Sequence, residues 1–213
     1  MSELNFTVEA GSAIRLKTAG KYCDRDILVT AEGSSGADAL AVFLRGDSTT
    51  LESDVTKIRG YVCYNNNLIT DLVLPMATDL ELYSFYGCTA LKNVQLPKVR
   101  NIAKYAFYGC TSLESLDLPK AEVLYDYCFR NCSNLKTIRI PKVYQIYGGA
   151  FNSCTALEYI DFSEATRVPT LQTSTVFNNV PATCQIRVPA SLLEEWKAKG
   201  YWTKVVDQIV SAE

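Results

Sequence analysis

Eight cysteines and no histidine set the chemistry open to this 213-residue chain. Without imidazole there is no Ser-His-Asp triad, no Cys-His dyad and no His-Glu-x-x-His zinc site. Cys88, Cys110, Cys132 and Cys154 recur every 22 residues. That is not the close spacing of a zinc or redox pair, so a buried, reduced structural ladder is expected, with no metal and no other cofactor. Adjacent turns of a repeat would bring the Cα atoms within bridging distance, but parallel side-chain directions argue against disulfides. Cys23, Cys63, Cys128 and Cys184 show no pairing pattern. The carboxylates Asp24 and Asp26, at i and i+2 in a turn, are ordinary solvent-facing caps. No catalytic residue is expected, and the chain is read as non-enzymatic.

The residues that could bind are periodic too. Tyr64, Tyr86 and Tyr108 share a column that Arg130 continues. Tyrosine offers apolar area and a hydroxyl at low entropic cost, and this column flanks a tight glycine turn, so it is taken as a ligand-binding face. Lys98, Lys120 and Lys142 stack like charges just after a proline. They form either a basic stripe for an anionic glycan or acidic partner, or a device that keeps strand ends soluble. Tyr61, Tyr83, Tyr105 and Tyr127 share a further column, expected to pack between turns beside phenylalanines with only its hydroxyls wet. Lys92, Glu114, Lys136 and Glu158 alternate in sign, as Gln95, Asp117, Arg139 and Asp161 do in part, and are expected to pair across strands.

What must position these columns is a repeat. Phe85, Phe107, Phe129 and Phe151 lie 22 residues apart, as do Leu91, Leu113, Leu135 and Leu157. Val94, Leu116, Ile138 and Ile160 follow in step, then Pro97, Pro119 and Pro141. Ile102, Leu124 and Ile146 continue the pattern to Val168, and a degenerate copy lies upstream at Ile69, Leu72, Leu74 and Pro75. One such turn cannot bury its apolar edge alone, whereas stacked turns bury a continuous core. Alternation before each proline predicts a short strand, with coils stacked in parallel at about 4.8 Å.

The stretch Ala106 to Pro119, A-F-Y-G-C-T-S-L-E-S-L-D-L-P, resembles the BspA-like leucine-rich repeats of bacterial, protozoan and phage proteins, over roughly Val55 to Val168. The tail, from Cys184 to Leu193 with Trp196, Lys197 and Trp202, resembles that family's C-terminal cap. The fold so implied is a β-rich leucine-rich repeat solenoid of 22-residue coils with a parallel sheet, a strand–helix cap and a small N-terminal β unit. The resemblance implies adhesion or recognition of a host or cell-surface protein or glycan, with no catalytic residue. Leu16 to Thr30 resembles a short motif of phage and prophage tail-associated proteins, which implies a virion component. A structural spacer of a phage particle and a secreted bacterial adhesin are the alternatives.

The expected organisation is a β unit over 1–32, a Gly/Ser linker over 33–38, the solenoid over 39–169 and the cap over 170–213. Strands are expected at Ile14–Lys17 and Ile27–Thr30, turned at Gly20, and the unit is small enough to need a partner, so homo-oligomerisation through it is possible. Thr170 to Pro181 reads as an irregular transition, and Ser191 as the N-cap of a helix ended by Gly200. A formal net charge of −2 gives no general pull toward nucleic acid. No run of 18 apolar residues predicts membrane insertion, and Met1 to Gly11 does not read as a signal peptide. The expected location is extracellular, on a phage particle or a bacterial surface.

Overall fold

The computed structural model describes strands 3–8, 12–17, 28–29, 41–42 and 50–52, then residues 56–58 and 60–212. β1 (Glu3–Val8) and β2 (Ser12–Lys17) pair antiparallel, with Phe6 opposite Ile14. β3 (Leu28–Val29) pairs antiparallel with β4 (Ala41–Val42). The strand expected at Ile14–Lys17 lies within β2, and β3 covers the middle two residues of the one expected at Ile27–Thr30, but the partners differ. Only three residues separate β1 from β2 in sequence, and the shorter closure is entropically cheaper. Gly20 and the linker expected over 33–38 lie outside the described residues.

From residue 50 onward each coil contributes two short strands, one to each of two parallel ladders. The first ladder begins with β5 (Thr50–Glu52), β7 (Asp71–Val73) and β9 (Asn93–Gln95). A five-stranded sheet continues it through β11 (Ser115–Asp117), β13 (Thr137–Arg139), β15 (Tyr159–Asp161), β17 (Gln185–Pro189) and β18 (Ile209–Ala212). The second ladder has six two-residue strands: β6 (Lys57–Ile58), β8 (Asp79–Leu80), β10 (Asn101–Ile102), β12 (Val123–Leu124), β14 (Gln145–Ile146) and β16 (Thr170–Leu171). Leu116 pairs with Ile138 and Ile102 with Leu124, so like residues sit over like. The core is the interior of the coils. Leu72, Leu116, Ile138 and Ile160 point into it from one ladder, and Ile58, Leu80, Ile102 and Ile146 from the other. Phe85, Phe107, Phe129 and Phe151 stack behind them with centroids 5.3, 5.7 and 5.7 Å apart.

The cysteine column is structural. The thiols of Cys88, Cys110, Cys132 and Cys154 donate to the carbonyls of Cys63, Phe85, Phe107 and Phe129, each in the preceding coil, at 3.1 to 3.3 Å. In the degenerate coil Asn66 instead accepts from the N–H groups of Leu68 and Ile69. The seven described cysteines are free, buried thiols. Burial raises their pKa values, to about 12 for Cys88 and Cys184.

Thr170 to Pro181 is not an irregular transition but part of a further coil with a four-residue insertion. Phe177 stacks on Phe151 at 5.8 Å, 26 residues on. The register offset grows to 25 where Ile146 faces Leu171, and to 26 where Ile160 faces Ile186. The extra residues bulge so that the phenylalanine stack stays unbroken, because a missed ring would leave a cavity.

Beyond β17 the chain makes a 3-10 turn (Ala190–Leu192), the helix α1 (Leu193–Ala198) and a 3-10 segment (Gly200–Gln208). Ser191 falls inside the 3-10 turn, and Leu192 takes the N-cap position without a side-chain bond. Trp196 and Trp202 are buried on Phe162, and Trp202 also lies against Phe177. The Trp202 indole N–H donates to the Pro169 carbonyl at 2.8 Å. The segment covers the last apolar coil, which would otherwise be an open edge.

Candidate functional site

The turns after the first five second-ladder strands each carry two residues in the left-handed backbone region, and the turn after β16 carries one. One column is Asn65, Gly87, Gly109, Asn131, Ser153 and Asn179, mostly the types that tolerate it. The other is Tyr61 (φ 62°), Tyr83 (58°), Tyr105 (60°) and Tyr127 (58°), then Gly149 (63°). A bulky residue at positive φ is strained. Contacts between coils hold it there. The Tyr61, Tyr83, Tyr105 and Tyr127 N–H groups donate to carbonyls of the following coil at 3.0 to 3.2 Å, and their rings stack at 4.9, 4.8 and 5.2 Å.

Gly149 closes the column because the Tyr127 ring lies where a side chain would begin, 2.5 Å from an added Cβ. Gly149→Ala is therefore expected to destabilise the protein by about 1–3 kcal/mol, from strain at positive φ plus the clash. Urea unfolding measures it; an unchanged midpoint would mean that the ring is not held there.

The left-handed backbone turns this tyrosine column outward against the other one. Tyr64, Tyr86 and Tyr108 stack at 4.8 and 4.7 Å with interplanar angles of 7° and 5°. Tilted contacts of 5.5 to 5.8 Å join the columns at Tyr61–Tyr64, Tyr83–Tyr86 and Tyr105–Tyr108. Seven tyrosines thus form one double ladder. The first column leaves more than its hydroxyls wet: Tyr61 is 55% exposed and Tyr83, Tyr105 and Tyr127 are half-buried; in the second, Tyr64 is exposed and Tyr86 and Tyr108 are half-buried. Burial, and then the phenols around it, Tyr108 first, raise the Tyr86 pKa. Arg130 ends the second column, its guanidinium 5.4 Å from the Tyr127 ring and 6.0 Å from that of Tyr108. The union of the two columns was missed in the sequence; Gly149 at the foot of a tyrosine column was the signal for it.

Lys98, Lys120 and Lys142 are exposed on a different turn, between the two ladders, and no contact among the described residues joins them to the tyrosines. Lys98 reaches the Met76 sulfur, and among the described residues none of the three has an ion pair. The alternating columns pair in part, Lys136 with Glu114 at 2.8 Å and Arg139 with Asp117 at 3.0 Å, and Arg139 takes Glu164 instead of Asp161 as its second partner. A hollow of about 450 Å³ opens elsewhere, beside Glu158, Tyr159 and Arg187. There the Arg187 guanidinium covers the Tyr159 ring at 4.0 Å and donates to the Gln185 side-chain carbonyl.

Asp24 and Asp26 lie outside the described residues. Among the described residues no cluster of His, Cys, Asp and Glu could hold a metal ion, and no helix is long and apolar enough to cross a membrane.

A search of curated protein sequences finds no match. The pneumococcal vaccine antigen PcpA has a similar solved structure, with a TM-score of 0.55 at 14% identity over 77% of this chain. This chain spans 41% of the PcpA chain. A leucine-rich repeat protein of T. pallidum aligns at a TM-score of 0.48 and 17% identity, over 68% of this chain and 84% of that one. A leucine-rich cell surface protein of Faecalibacterium prausnitzii aligns at 0.40 and 16%, over 81% and 71%. Residues 50–192 match the BspA type leucine rich repeat region in 6 copies. With its stacked 22-residue coils and two parallel ladders, the chain belongs to the BspA-type leucine-rich repeat family.

Proposed function

We propose that this protein is a non-catalytic recognition module, working at a phage or bacterial surface, that binds a host or cell-surface protein through the double tyrosine ladder. The observation that carries the reading is the ladder itself: stacked rings already fixed in place before any partner arrives. Rigid tyrosines give contact area without losing rotamer freedom on binding. The ladder is flanked by Asn65, Gly87, Gly109, Asn131 and Ser153, the small polar types that accompany tyrosine in protein-binding surfaces. Ring faces are spent on one another, so edges and hydroxyls are offered outward, which favours a protein over a glycan that would stack on an open face.

The test is a binding screen against matrix proteins, cell-surface proteins and glycans. For any binder found, replacing Tyr64, Tyr86 and Tyr108 together by alanine is expected to weaken binding by about 100-fold or more, as the loss of clustered hot spots does. Replacing Lys98, Lys120 and Lys142 together is expected to change it by less than about threefold, as for rim charges. The opposite pattern would move the binding face to the lysine stripe.

The Leu16 to Thr30 motif supports placing the module on a phage or prophage tail, with the N-terminal unit joining copies into an oligomer. Tail genes beside its own gene are expected. Light scattering with and without residues 1–38 reads the oligomer.

A further inference from the structure

Among the described residues two cations touch the ladder without an ion pair: Lys104, 5.4 Å from the Tyr105 ring centre, and Arg130. The Arg130 Nε is buried without a hydrogen-bond partner, and among the described residues its guanidinium makes no ion pair and no side-chain hydrogen bond. Other arginines are committed, Arg100 to Glu122, Arg139 to Asp117 and Glu164, and Arg187 to Gln185, while Arg167 lies over the Tyr144 ring at 4.4 Å. Removing a guanidinium partly from water, with donors unmet, costs stability unless an anion meets it. Contact with two tyrosine rings compensates in part, and it also holds the side chain in place.

The neighbouring groups are set for an acceptor. The Asn131 side-chain amide donates to the Tyr108 hydroxyl at 2.9 Å, so that hydroxyl keeps its own proton free to donate outward. A planar fork and an O–H donor thus come together at the end of the ladder, the Arg130 guanidinium 6.0 Å from the Tyr108 ring centre. That combination suits a carboxylate, which accepts a bidentate guanidinium and a further hydrogen bond.

We infer that Arg130, with Tyr108 and Asn131, is a carboxylate-binding site at the end of the tyrosine ladder, and that the partner docks there with an aspartate or glutamate of an extended acidic segment. This rests on the ladder being the recognition face. A protein segment fits better than an anionic glycan because the site sets a single guanidinium, its Nε buried, at the end of an aromatic face, whereas a polyanion would be met by a row of charges.

Peptide display from a random library on the intact protein tests it. Enriched peptides are expected to carry Asp or Glu, and their affinity to fall at least tenfold on Arg130→Gln and on Arg130→Lys, which keeps the charge but loses the fork. Changing the acidic residue of the peptide to its amide should cause the same loss on the wild type and little further loss on Arg130→Gln. Peptides whose binding needs Tyr64 and Tyr86 but not Arg130 would overturn this site while leaving the recognition face intact. Failure of any peptide to depend on the tyrosines would overturn both. Arg130-dependent capture of heparin, with no acidic peptide enriched, would overturn the acidic segment.

Discussion

Taking the folded protein from pH 8 to pH 11 is expected to unfold it abruptly, well before backbone hydrolysis or arginine deprotonation matters. Seven buried thiols hold their protons in the fold, with pKa values raised by burial, to about 12 at Cys88 and Cys184. Unfolded thiols ionise near 8.5. The unfolded chain therefore loses protons first, and the stability that the buried thiols contribute is intact below about pH 8.5 and drains away as pH rises toward about 12. Each thiol contributes a slope of about 1.4 kcal/mol per pH unit in that window, and several in step exceed the usual total of about 5–15 kcal/mol. Circular dichroism against pH reads the collapse. A flat stability profile from pH 8 to 11 would mean the thiols are not buried. At pH 8 the same thiols should resist a disulfide reagent until the protein unfolds, a count made clean by Cys23→Ser.

The second large effect concerns the phenylalanine stack. Phe129→Ala should cost about 3–5 kcal/mol, because Phe129 is fully buried between Phe107 and Phe151 and the coil backbone cannot collapse to fill the space. In a solenoid each coil meets only its neighbours, so a weak coil in the middle should also divide the molecule. Both tryptophans, Trp196 and Trp202, report on the C-terminal end. Urea transitions followed by tryptophan fluorescence and by circular dichroism are expected to coincide in the wild type and to separate in Phe129→Ala. Coincident transitions at an unchanged midpoint would show that the stack is not what joins the coils.

The coils were legible in the amino-acid sequence because burial demands like residues at like places: Phe85 over Phe107, Cys88 over Cys110, Ile138 over Ile160. The coil with the insertion was not. A strict period hides an offset of 26, although Phe177 carried the information, since its ring had to find Phe151. The tyrosine and arginine columns were readable one by one, but not their union. That union depends on positive φ at Tyr61, Tyr83, Tyr105 and Tyr127, and tyrosine does not announce such a backbone as glycine or asparagine does. At the N-terminal end, two strand positions were readable and their partners were not, because alternation marks a strand without saying which neighbour closes first.

Because each rung of aromatic side chains is tied to its own coil, duplication or loss of one 22-residue segment would lengthen or shorten the contact surface by a single fixed step of about 4.8 Å. Descendants of such a gene can change the length of that surface in whole increments without solving a new folding problem. The terminal tryptophan plug stays where it is, and under the proposed recognition the arginine's height along the aromatic column would set how long a peptide must be to touch both ends.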